Sequence, residues 1–180
     1  MKPHYLIPVL VVLPGLALAE CGPARQTILS CSLDNGRLYL DVCLSQTSVT
    51  LKRGLTGATP DLSLTVPITK VAYTPWPGIS TFNESITFSD GDIAWVAYIG
   101  ETRIYSPETE ADPGTISSQW HGGLEKIRNL NGSQTEYLSD AACDTESVVF
   151  PYDFALSDAK AAAGLCWNLW DQKWSDCDKP

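Results

Sequence analysis

The chain has 180 residues, 44% of them hydrophobic, with 21 acidic against 12 basic side chains and a formal net charge of −9. A surplus of carboxylates argues against nucleic acid or an anionic membrane surface as partner and favours a basic protein. The length suits one domain and is enough to bury a real core without relying on cross-links alone.

The first residues read as an export leader. Lys2 supplies the positive start, Leu6 to Leu18 an apolar run, and Ala17-Leu18-Ala19 a small-x-small cleavage site. Cleavage after Ala19 leaves residues 20–180 as a single domain and removes Lys2, for a net charge of −10. Leu18-Ala19-Glu20-Cys21 misses the lipoprotein pattern, because Glu20 stands where that processing needs a small residue. No later apolar run is long enough to span a bilayer, so no membrane insertion is expected after the leader, and the expected location is periplasmic or secreted.

Six cysteines fall into two groups, Cys21, Cys31 and Cys43, then Cys143, Cys166 and Cys177. In an exported chain an even count implies full pairing, and two groups of three require at least one bridge between them. Asn35-Gly36 signals a tight hairpin that places Leu33 opposite Leu38, Cys31 opposite Leu40 and Cys43 opposite Ile28. Cys43 then lies on the other face from Cys31, which disfavours a Cys31–Cys43 bridge. The remaining connectivity stays open. No Cys-x2-Cys pair occurs, which argues against zinc.

Taken in order, 27–33 and 37–44 form the opening hairpin, followed by strands over 48–53 and 61–66 and an edge or bent strand over 68–73 interrupted by Pro67. Thr74-Pro-Trp-Pro-Gly-Ile79 is a stiff loop in which two prolines hold Trp76. A strand over 82–89 turns at Asp90-Gly91 into 93–99, where every residue is apolar or aromatic and both faces want cover. Residues 101–106 are expected to pair back across Gly100, 107–119 to form a long exposed loop, and 122–130 with 134–139 a further hairpin. From Ala155 the period becomes helical. Leu156, Ala159, Ala163, Trp167 and Trp170 share a stripe, so a helix over 156–171 with Ser157 as cap is expected to cover Ala94, Val96 and Tyr98.

Candidate chemistry is sparse. His121 is the one histidine after the leader, so a serine or cysteine triad has a single available base, and no Gly-x-Ser-x-Gly elbow accompanies it. His121-Gly122-Gly123 resembles the oxyanion loop of some esterases, but without the elbow the match carries little weight, and an exposed loop or turn histidine is the preferred reading. One histidine is too few for a transition-metal site, and no cofactor or metal is expected. Paired acids (Asp90 with Asp92, Glu108 with Glu110 and Asp112, Asp176 with Asp178) are the only material for a glycosidase, which needs two carboxyl groups about a cleft. For binding, Trp76 is a pre-ordered aromatic contact, unless its loop folds back onto the core. Glu108, Glu110 and Asp112 form an acidic loop suited to a basic partner, with His121 as a further contact.

Val49-Thr-Leu-Lys-Arg-Gly54, Pro60-Asp-Leu-Ser-Leu64, Tyr73-Thr-Pro-Trp-Pro-Gly78, Thr87-Phe-Ser-Asp-Gly-Asp92, Trp95-Val-Ala-Tyr98 and the closing run Leu156 to Cys166 resemble a family of small exported bacterial proteins. The resemblance implies a periplasmic or secreted setting and one domain; it carries no activity or catalytic residue. A looser, fold-level likeness is to bacterial periplasmic lysozyme inhibitors, which act on basic enzymes. The expected fold is an antiparallel β-sandwich or barrel of about eight to ten strands with one C-terminal helix. The expected function is a non-catalytic binding module of the bacterial envelope, of inhibitor or immunity type. A carboxylate-dependent hydrolase acting on envelope glycan is the alternative.

Overall fold

The structure is a computed structural model that describes residues 21–79, 81–106, 114–130, 132, 134–151 and 153–177. The expected leader and the acids Glu108, Glu110 and Asp112 lie outside them.

Two antiparallel meanders build the molecule. The first sheet runs β1 (Gln26–Leu33), β2 (Leu38–Leu44), β3 (Ser48–Leu55), β4 (Leu62–Pro67) in that order. The second runs β5 (Ala72–Thr74), β6 (Asn83–Asp90), β7 (Ile93–Ser106), β8 (Thr115–Arg128), β9 (Glu136–Ala142). Alternation decides the inner faces. Leu40, Val42, Val49 and Leu51 of the first sheet share one core with Ile86, Phe88, Ala97, Ile99 and Leu124 of the second. Trp95 closes one end of that core between the sheets, with the Arg53 guanidinium 5.7 Å and the Lys126 ammonium 4.9 Å from its ring. Three disulfides are present: Cys21–Cys43, Cys31–Cys143 and Cys166–Cys177. The second is the inter-group bridge, and it sits where an isolated backbone bridge, Leu33 to Cys143, stitches the two sheets at one edge.

The opening hairpin has the expected register as far as Cys31 opposite Leu40. Beyond it Ile28 bulges, and Cys43 lies opposite Thr27 instead of Ile28. Gly100 is not a turn. β7 continues through it to Ser106 and pairs with β8 along its whole length, from Ile93 with Arg128 to Ser106 with Thr115. A Cβ at Gly100 would lie 2.6 Å from His121 Nε2, so the glycine accommodates the His121 ring and does not reverse the chain.

The helix, α1, is shorter than its apolar stripe suggests, running only over Ala155–Ala162. Gly164 takes the left-handed conformation, φ 82°, that ends helices. The chain then forms a hairpin, β10 (Leu165–Asn168) with β11 (Lys173–Asp176), closed by Cys166–Cys177. This hairpin takes the strand total to eleven among the described residues, with nine in the two main sheets. Trp167 and Trp174 face each other across it, while Trp170 is exposed at its turn. Ser157 is not the cap. The N-cap is Phe154, and the Asp153 carboxylate accepts the Ala155 N–H at 3.2 Å. Ser157 instead donates to the Tyr73 hydroxyl at 3.3 Å.

The helix also does not seat on the outer face of β7. Leu156 joins the core, and Lys160, only 1% exposed, donates to the Ile68 carbonyl at 2.9 Å. The Lys160 ammonium lies 5.3 Å from the Trp174 ring, and Trp174 stacks on Tyr73 and donates to its carbonyl at 2.8 Å. Helix and hairpin together thus cover the β4–β5 connection. On the outer face of β7, Ala94 is buried while Val96 and Tyr98 remain half-buried.

In the chain-entropy account a cross-link stabilises with the length of loop it closes. Removing Cys31–Cys143 (sequence separation 112) as the paired serine variant should cost about 5 kcal/mol, against about 3 kcal/mol for Cys166–Cys177 (separation 11), in denaturant unfolding. Burial lowers the Lys160 pKa from 10.5 to about 8. The unfolded chain therefore holds this proton where the folded one has released it, and the contribution of Lys160 to stability should rise between pH 8 and 10.5, by roughly 2 kcal/mol. Urea midpoints of Lys160→Met, compared with the parent across that window, should lack this rise.

Candidate binding site

The outer faces of the two sheets are finished differently. On the first, alternation turns Ser30, Ser32, Tyr39, Asp41 and Lys52 away from the core. Two flanking segments fold up around them. On one side, the loop after β3 lies back over Gly54, where a Cβ would stand 2.9 Å from Pro60 Cα; any other residue would push this wall away. On the other, the chain around Val149 pairs with the edge of β1, Ser30 N–H to Val149 O at 3.0 Å and Val149 N–H to Ser30 O at 2.7 Å.

The hairpin tip that completes the rim is held by Asp144. Asp34, Asn35 and Gly36 all have positive φ, and the N–H groups of Asn35 and Gly36 donate to the Asp144 carboxylate at 2.9 and 2.7 Å. The Ser32 hydroxyl donates to it at 2.7 Å. These bonds, that from Ser32 foremost, hold the Asp144 carboxyl below its ordinary value.

The half-open cavity between these walls measures about 560 Å3, within the range of small-molecule sites. Asp41 lies in its lining and is 3% exposed. Ser30 stands directly opposite it on β1, yet Oδ1 accepts nothing among the described residues. Desolvation pushes its pKa up, against the pull of Ser30 and Lys52. Lys52 stands directly opposite on β3, but the two form no ion pair among the described residues. Asp41 is the one acid in the lining among the described residues, where a glycosidase requires two.

The second sheet has an open outer face. Val96, Glu125 and Asp140 stand in one row across β7, β8 and β9, with the two acids directly opposed. Tyr98 lies over Gly123, where a Cβ would meet its hydroxyl at 2.5 Å, and that hydroxyl donates to Asp140 at 3.3 Å. Burial first, then Asp140 and Glu125, push the Tyr98 pKa up to about 12. No Lys or Arg pairs with Glu125 or Asp140 among the described residues.

The residues singled out from sequence are distributed elsewhere. Trp76 is folded back, half-buried, with its ring 5.6 Å from Phe82 in a cluster that includes Trp120 and Phe150. Its Nε1–H donates to Ile79 O at 3.0 Å and its backbone N–H to the Glu84 carboxylate at 3.3 Å. His121 is an exposed strand residue over Gly100, with Nδ1 3.3 Å from Thr102 Oγ1. Neither lies on the cavity or on the Glu125–Asp140 row. Asp41, Glu125 and Asp140 were not singled out from sequence; the available signal was an acid at an outward position of a strong strand. No family model, curated protein or solved structure matches the chain.

Asp144 makes a pH-dependent contribution. Its folded pKa lies below the unfolded value near 3.8, so its stabilisation is complete above about pH 4 and is lost as pH falls through the folded pKa. Urea midpoints tracked down the acid limb should fall less steeply for Asp144→Asn than for the parent, and that variant should already be less stable at pH 7.

Proposed function

We propose that this chain is an exported, non-catalytic binding protein of the bacterial envelope that docks a basic protein, in the manner of an inhibitor or immunity-type module. The observation that carries the reading is the Glu125–Asp140 pair. Like charges placed directly opposite on neighbouring strands destabilise a sheet, and here no cation relieves them among the described residues. A fold that retains such a pair beside half-buried Val96 and Tyr98 offers an apolar floor with an acidic rim. That composition suits a cationic protein surface, which would remove the repulsion on docking. The net charge favours the same class of partner, and the three disulfides suit an oxidising compartment.

The test uses the disulfide-intact protein immobilised against a panel of purified basic proteins, a lysozyme among them. At least one should bind, with affinity falling as salt rises. Glu125→Gln with Asp140→Asn should weaken binding by about tenfold and flatten the salt dependence, while raising fold stability by about 0.2–1 kcal/mol. Gained stability with lost binding marks a surface kept for a partner. Salt-independent binding, or no binding across the panel, removes the reading.

A further inference from the structure

The cavity on the first sheet is distinct from the face proposed to dock a protein, and its chemistry is not that of a generic acidic surface. It presents one acid and one base side by side. Asp41 and Lys52 are direct cross-strand partners, at a spacing where opposite charges ordinarily find each other. They remain unpaired among the described residues, and Asp41 Oδ1 is sealed from solvent with no donor. A buried carboxylate oxygen without a donor is costly to the fold, so its retention needs a reason. The same carboxyl group lines the cavity, so a ligand donor that reaches it there would offset part of this cost.

From this geometry we infer that the cavity binds a small zwitterion of the α-amino-acid class, its ammonium on Asp41 and its carboxylate on Lys52. The Ser30 hydroxyl beside Asp41 supplies a further polar contact for the ligand's charged end. Tyr39, Pro60 and Val149, also in the lining, give apolar surface for a side chain. A volume of about 560 Å3 accepts a single amino acid or a dipeptide and is too small for a folded partner. A simple cation would leave Lys52 facing a like charge, and a simple anion would be set against Asp41. A ligand carrying both charges satisfies both residues at once.

The experiment is titration calorimetry on the disulfide-intact protein with free L-amino acids spanning small, aliphatic, aromatic and charged side chains. Each that binds is then compared with its N-acetyl derivative, which lacks the ammonium, and its carboxamide, which lacks the carboxylate. At least one free amino acid should bind, and each capped form should bind about tenfold or more weakly. Asp41→Asn and Lys52→Met should reproduce the loss of the matching charge; the ligand series gives the same answer if either variant fails to fold. Binding by no free amino acid at millimolar concentration overturns the inference. So does equal binding of a capped form, which would leave a site for a lone cation or a lone anion. Glu125→Gln with Asp140→Asn should leave amino-acid binding unchanged, so loss of the protein partner and loss of the small ligand are scored separately.

Discussion

Tying the strand β1 to residues 143–149 is the constraint on which the rest depends. Three kinds of contact act within a few residues of one another: the Cys31–Cys143 bridge, the backbone pairing of Ser30 with Val149, and the Asp144 carboxylate on the hairpin tip. Each spans more than a hundred residues of chain, so each closes a long loop, and their effects reinforce one another because the first one made removes most of the entropy the others would have had to overcome. Without this seam the two meanders would share a core along one side only. The same seam raises the wall of the cavity, so a contact that serves stability also shapes the site.

Periodicity made the sheets legible and left their finishing obscure. Alternation in β2 and the Asn35-Gly36 turn were enough to set Leu33 against Leu38 and Cys31 against Leu40. The same reasoning slipped by one residue at Cys43, because a bulge is a local choice that no alternation announces. The helix was overextended for a related reason. Leu156, Ala159, Ala163, Trp167 and Trp170 do recur at helical spacing, but Trp167 and Trp174 also suit a two-stranded ribbon. The decision between the two rests on Gly164 and a cysteine pair that only a hairpin brings together. Gly100 was misread in the opposite sense, as a turn, where the absent side chain makes room for a neighbour's ring.

The site residues were harder to find than the fold, for a physical reason. Trp76 and His121 attract attention as residue types, and the first proves to be held by Phe82, Ile79 and Glu84 while the second lies over a glycine. Asp41, Glu125 and Asp140 are ordinary outward acids in sequence. Their significance is relational: Asp41 lines a cavity one wall of which is a loop that only Gly54 admits, and Glu125 meets Asp140 only through the register of β8 with β9. Neither relation is expressed in the spacing of residues along the chain.

The two outer faces also explain each other. The first sheet is covered by segments that flank its own strands or return to its edge: the Cys21–Cys43 bridge, the loop over Gly54 and the pairing of Val149. Such cover leaves a concavity where the walls do not meet, and a concavity suits a small ligand. The helix and terminal hairpin are spent on the β4–β5 connection, where Lys160 and Trp174 hold them to Ile68 and Tyr73, so neither is left to cover Val96 and Tyr98. That face therefore has no walls comparable to those over the first sheet, and Val96 and Tyr98 stay half-buried. The division of the molecule into a pocketed sheet and an open one thus depends on where the C-terminal segment docks, and a buried lysine on that segment is part of what fixes the docking.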